Sequence, residues 1–184
     1  MAYTKQPFCD DVFIKDNTII DVNADSKLIK TAIIDAQELY IEPALGTALY
    51  NKMVSDISAN TLSGNYVTLM DSYILDTLKY YVLYVLAPNM LIKWRNRSVD
   101  TQSGENSTPV SMDDMRSIQK EFLNKAEAYK QRLNDYMIAN QTLFPELYQN
   151  NTYDKKNPDN ISFTAPMYLG SDDVDDRITA KFFA

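Results

Sequence analysis

The chain is predicted to be all-α: a helical bundle with a bent N-terminal helix pair, one long C-terminal helix, and extended arms at both ends. Three observations carry this prediction. Apolar residues recur at steps of three and four through most of residues 26–140, the period of an amphipathic helix. Only four glycines occur in 184 residues, which disfavours turn-rich β folds. The apolar fraction of 45% is ordinary for a globular protein, so one core can be built.

Residues 1–24 mix the short runs "VFI" and "TIIDV" with Asp and Asn and show no helical period. They are expected to form an extended N-terminal arm with one or two short strands. Asp21-Val-Asn23-Ala-Asp25 resembles the start of a calcium loop, but Ser26 stands at the glycine position and Ala32 at the bidentate glutamate position. It reads instead as a turn in which Asp25 or Ser26 caps the next helix.

The helical body spans 25–150. Its first helix, about 26–41, carries Leu28, Ile29, Ala32, Ile33, Ala36, Leu39 and Tyr40 on one stripe. Glu42–Pro43 is expected to end or kink it, because a residue before proline is pushed out of the α region. Pro43 then fits the first turn of a second helix, with Leu45, Leu49, Met53, Val54 and Ile57 along one side. Gly46 leaves room for another backbone to approach closely at this elbow. A third helix, about 66–95, becomes apolar nearly all round beyond Thr77, the mark of a central helix. Pro88 is expected to kink or split it, and a strand over 80–86 is the alternative.

Residues 96–110 form a long polar loop, a length typical of functional or unstructured connections. Ser111 with Asp114 makes a capping box, and Met115, Ile118, Phe122, Ala126, Tyr129, Leu133 and Tyr136 then mark a helix to about residue 140. At 1.5 Å per residue such a rod is about 45 Å long. A short helix follows Pro145. From 151 the periodicity stops, leaving a C-terminal tail, 151–184, that could reach more than ~100 Å if extended. It is dotted with Phe163, Met167, Tyr168, Leu169, Ile178, Phe182 and Phe183, which reads as a segment that gains order on a partner.

The chemistry is sparse. There is no histidine, which removes the commonest neutral-pH base and metal ligand. The single cysteine, Cys9, excludes an internal disulfide and reads as a small apolar residue. Asp35 and Glu38 lie three apart on a helix, and "DDVDD" (Asp172–Asp176) offers oxygen ligands, but both read first as solvated charge. Lys93, Arg95 and Arg97 form the one basic cluster; they complement a helix C-terminus or contact a phosphate or acidic partner. No catalytic residue, metal site or cofactor is predicted. A net charge of −7 disfavours a conventional duplex-DNA binder. The N-terminus lacks a signal-peptide pattern and the longest apolar run, 80–92, is too short to span a bilayer. A soluble protein of a reducing compartment, with no membrane contact, is expected.

"AIIDAQELYIEPALG", continuing "TALYNKM", resembles the N-terminal helices of the head–tail connector (adaptor) proteins of tailed bacteriophages, most of all the neck ring proteins of crAss-like phages. Ala36, Gln37, Tyr40, Pro43, Leu45 and Gly46 carry the resemblance, which as a helical order covers roughly 26–140. It implies a virion structural protein, not an enzyme, assembled in the bacterial cytoplasm. Such proteins form a homo-oligomeric ring, commonly of twelve copies, beneath the portal. The ring extends the DNA channel, binds the portal protein, and presents a platform for the next neck or tail protein. Contact with the genome would be passive, and an acidic surface suits a conduit through which DNA slides. On this reading Gln37, Tyr40, Pro43 and Gly46 shape the elbow and subunit packing, and Phe163, Tyr168, Phe182 and Phe183 anchor the tail on the portal or a neighbour. Two rivals come from other classes. One is a small helical protein-binding module, such as a phage-encoded inhibitor or regulator. The other is a carboxylate-only, metal-dependent hydrolase built on Asp35, Glu38 and Asp172–Asp176.

Overall fold

Three helices begin where the side chain of Asp10, Asp25 or Ser111 accepts a free N–H of the first turn, and helix faces follow the apolar stripes. The computed structural model describes residues 5–94, 99–101, 111–148 and 158. The fold is all-α. Its helices are α1 (Asp11–Asn17), α2 (Ser26–Ala36), α3 (Glu42–Leu45), α4 (Thr47–Ser58), α5 (Asn65–Leu69), α6 (Leu75–Leu91) and α7 (Met112–Ala139). Two π-helical turns are spliced in, Gln37–Ile41 between α2 and α3 and Met70–Ile74 between α5 and α6. Short 3-10 turns at Gln141–Leu143 and Pro145–Tyr148 follow α7, at the place expected for a short helix.

α6 is the central helix, lying against α7 on one side and α2 on another. Leu78, Tyr81, Val82 and Leu86 are buried along it, so the alternative strand over 80–86 is replaced by helix. α7 begins as its capping pattern predicts. Ser111 Oγ accepts the Asp114 N–H at 3.1 Å, and Asp114 Oδ2 accepts the Ser111 hydroxyl at 2.7 Å. Its inner stripe is Ala126, Leu133, Asn134 and Met137. Stacked tyrosines fasten it to the preceding layer: Tyr80 on Tyr129 at 5.0 Å and Tyr73 on Tyr136 at 4.0 Å. Arg132 lies 4.9 Å over the Tyr73 ring, and Tyr81 donates to Glu127 at 2.7 Å. Phe144, fully buried, closes the end of the core, and Tyr66 donates to Glu146 at 2.9 Å beside it.

Several expectations are corrected. The N-terminal arm is not wholly extended: Asp10 Oδ1 accepts the Phe13 N–H at 2.8 Å and starts the two-turn α1, whose Ile14 is buried. Seven residues are too few to show a helical period. Asp25 does cap α2, accepting the Lys27 N–H at 2.9 Å. The first helix does not end at Pro43; it passes through the π turn and α3 and breaks at Gly46. The wider π turn eases the proline ring past the carbonyl one turn back. The third helix does not split at Pro88, which lies inside it, and it ends at Leu91 instead of 95. Proline there removes the N–H that would bond the Tyr84 carbonyl, and Gln119 Nε2 on α7 donates to that carbonyl at 3.2 Å instead. The polar loop starts with a small antiparallel hairpin, β1 (Ile92–Trp94) against β2 (Val99–Thr101), with Lys93 opposite Asp100. Three-residue strands carry no alternation long enough to read.

Candidate functional site: the elbow

The residues singled out in the first helix meet at one joint. α2 continues into the π turn, where the Glu42 N–H reaches back five residues to the Gln37 carbonyl. Gln37, four residues after Ile33 on the buried stripe of α2, points its side chain into the interior, where it is 1% exposed. Its amide is fully engaged. Oε1 accepts the Phe8 N–H at 2.8 Å, while Nε2 donates to the Gln6 carbonyl at 3.1 Å and to the Tyr50 hydroxyl at 2.9 Å. One side chain therefore ties the N-terminal segment, the π turn and α4 together. The Phe8 ring packs 5.5 Å from the Tyr50 ring over the same joint. Burial raises the Tyr50 pKa, against the pull of the Gln37 hydrogen bond.

Tyr40, on the same π turn, stacks on Tyr81 of α6 with ring centres 4.3 Å apart and planes 5° from parallel, and meets Tyr84 edge-on at 6.0 Å. Burial, and then the neighbouring Tyr84, raise its pKa. Ala36 and Leu45 are fully buried, and Pro43 occupies the first turn of α3. Gly46 turns the chain with φ 75° and ψ 152°, a conformation that suits glycine. Its N–H donates to the Glu42 carbonyl at 2.9 Å and its carbonyl accepts the Tyr50 N–H at 3.0 Å. The backbone that approaches Gly46 belongs to this same chain: the ring and nitrogen of Pro158 lie against it.

Among the described residues, concave surface also occurs outside the joint. A groove of about 490 Å³ between the N-terminal segment and α2 is lined by Lys5, Pro7, Cys9, Lys30, Ile34 and Asp35. The Cys9 thiol is pushed up to about 12 by burial and then by the adjacent Asp10, so it stays protonated at neutral pH and is a poor nucleophile. Glu38 pairs with Lys5, whereas Asp35 lines the groove, and no group of three or more metal-type ligands occurs among the described residues. A smaller apolar groove of about 240 Å³ is lined by Ile19, Leu83, Met90, Met115, Ile118 and Phe122. Among the described residues no helix is long and apolar enough to cross a membrane.

The structure thus brings Gln37, Tyr40, Pro43 and Gly46 together and places their described contacts within the chain. Pattern reading misses Phe8, Tyr50 and Pro158, the partners that complete the joint. Lys93 lies on β1, and Arg95 and Arg97 lie outside the described residues. So do the tail residues Phe163, Tyr168, Phe182 and Phe183 and the acidic run Asp172–Asp176.

No curated protein and no solved structure matches the chain. Residues 41–157, well over half of the sequence, from within the elbow to the residue before Pro158, match a described family. On that match the chain belongs to the "Family of unknown function (DUF6712)".

Proposed function

We propose that the protein is a head–tail connector of a tailed bacteriophage, a ring-forming structural protein that sits beneath the portal and extends the DNA channel. The observation that carries this reading is the convergence at the elbow. Ala36, Gln37, Tyr40, Pro43, Leu45 and Gly46, the residues of the connector-like motif, form one packed joint with the Gln37 amide at its centre. A joint locked by buried hydrogen bonds suits a part that must hold its shape under load, and its amide is spent on the protein's own backbone and Tyr50.

Other features support the same reading. Ile19 is 82% and Leu39 63% exposed, and the apolar groove beside Ile19 offers surface for a neighbouring copy to cover. Head-to-tail contacts of that kind close into rings when the rotation allows. The net charge of −7 favours a channel wall that repels DNA. The tail aromatics remain the proposed portal anchors.

The test is a full-length chain carrying Phe163→Ser, Tyr168→Ser, Phe182→Ser and Phe183→Ser, mixed with the portal protein of the same phage. Loss of portal capture with an unchanged helical spectrum supports the tail assignment. Capture at the wild-type level overturns it. The helical binding-module alternative predicts a monomer or dimer that ignores the portal with or without these changes.

A further inference from the structure

We propose that Gly46 is the seat of an intramolecular clasp in which Pro158 fills the space where a side chain would stand, fastening the C-terminal segment to the elbow. A Cβ built on Gly46 would lie 2.7 Å from Pro158 Cδ, 2.9 Å from Cγ and 2.9 Å from the backbone nitrogen. Real Cβ atoms do not approach that closely, so the contact requires glycine on spatial grounds as well as for its φ of 75°. Both residues are buried.

The partner's chemistry also fits. A buried backbone N–H needs an acceptor. Near the seat, the Gly46 carbonyl already accepts the Tyr50 N–H and the Glu42 carbonyl already accepts the Gly46 N–H. Proline brings no N–H, so its nitrogen can press against the glycine without leaving a donor unmatched. Its ring also limits the entropy lost on docking. The seat itself is rigid, held by those two backbone bonds and, through Tyr50, by Gln37.

The family match begins at Ile41, five residues before Gly46, and ends at residue 157, immediately before Pro158 in the sequence. This inference requires nothing of the connector reading, and it can fail or hold without it.

Two measurements on the full chain test it. Lys155 and Lys156 are trypsin sites just before Pro158. Cleavage there in native Pro158→Ala, normalised to the urea-unfolded chain of the same sequence, is expected to be at least about fivefold faster than in the wild type; equal normalised rates overturn the clasp. In urea unfolding, Gly46→Ala is expected to lower the folding constant on the order of tenfold more in the wild-type background than in the Pro158→Ala background, as residues in direct contact couple. Additive effects overturn it. Should Gly46→Ala fail to fold, recovery of folding in Gly46→Ala/Pro158→Ala supports the clasp, and the trypsin comparison decides the matter without the glycine variant.

Discussion

Two buried amides in this protein should respond in opposite directions to the same substitution. Gln37 and Asn134 are each 1% exposed. Gln37 makes three hydrogen bonds, whereas neither Oδ1 nor Nδ2 of Asn134 has a hydrogen-bond partner among the described residues. Leucine has the branching of asparagine and is one side-chain atom shorter than glutamine, so Gln37→Leu and Asn134→Leu both replace a polar amide with an apolar branch. Gln37→Leu strands the Phe8 N–H, the Gln6 carbonyl and the Tyr50 hydroxyl. At about 1–3 kcal/mol for a buried group left unmatched, and with Tyr50 only half-buried and able to turn toward water, the loss is about 3 kcal/mol. Asn134→Leu removes an amide that lost its water partners on folding and gained none among the described residues. The expected gain is about 1 kcal/mol, the lower end of the burial penalty after some local relaxation.

For a chain of this size roughly 2–4 °C accompanies each kcal/mol. The prediction is therefore a melting temperature about 6–12 °C lower for Gln37→Leu and about 2–4 °C higher for Asn134→Leu. Thermal melts followed by far-UV circular dichroism at one fixed protein concentration make the comparison, with urea midpoints as a check. Shifts of the same sign in both variants would refute the reasoning, because burial alone and not hydrogen-bond matching would then set the outcome.

Other predictions concern titration and capping. Cys9, with its pKa pushed up to about 12, is expected to react with iodoacetamide at pH 8 at least about tenfold more slowly in the native chain than in urea, and equal rates contradict the burial that raises it. Tyr66 is raised to about 12 by burial and then by its bond to Glu146, against an ordinary value of 10.0. Its folded form holds the proton more tightly, so this contribution is complete below pH 10 and is lost as pH rises through 12. The stability gap between wild type and Tyr66→Phe, from urea titrations at each pH, should be constant below pH 10 and narrow above it; the same gap at pH 9 and 12 contradicts the assignment. Ser111→Ala removes the acceptor of the Asp114 N–H and should cost about 1 kcal/mol, read from the same titrations. A cost of zero would mean that the first turn of α7 frays in the native chain.

What the residues announce in advance is whatever repeats locally. α7 and its cap follow from a serine, an acid three places on and a steady apolar stripe, all within one segment. The central position of α6 follows from its nearly continuous apolar surface. The elbow is legible as a place, through Pro43 and Gly46, but not as a structure. A π turn adds one residue and leaves the apolar rhythm almost intact, so nothing in "QELYI" announces it. Proline misleads twice for one reason: its cost depends on whether another group takes the freed carbonyl or the helix widens around it. At Pro88 the group is Gln119, 31 residues away, which no local pattern shows. The partners of Gln37 and Gly46 are likewise distant in sequence, Phe8 by 29 residues and Pro158 by more than a hundred. Local signals can mark such positions as unusual, but the contact that explains them exists only once the chain has folded.

The central proposal is most directly tested by native mass spectrometry of the full chain, alone and mixed with the portal protein of the same phage. A ring near twelve times the 21.1 kDa chain mass, formed either alone or only on the portal, is the predicted result. A monomer or dimer whose mass is unchanged by the portal contradicts it.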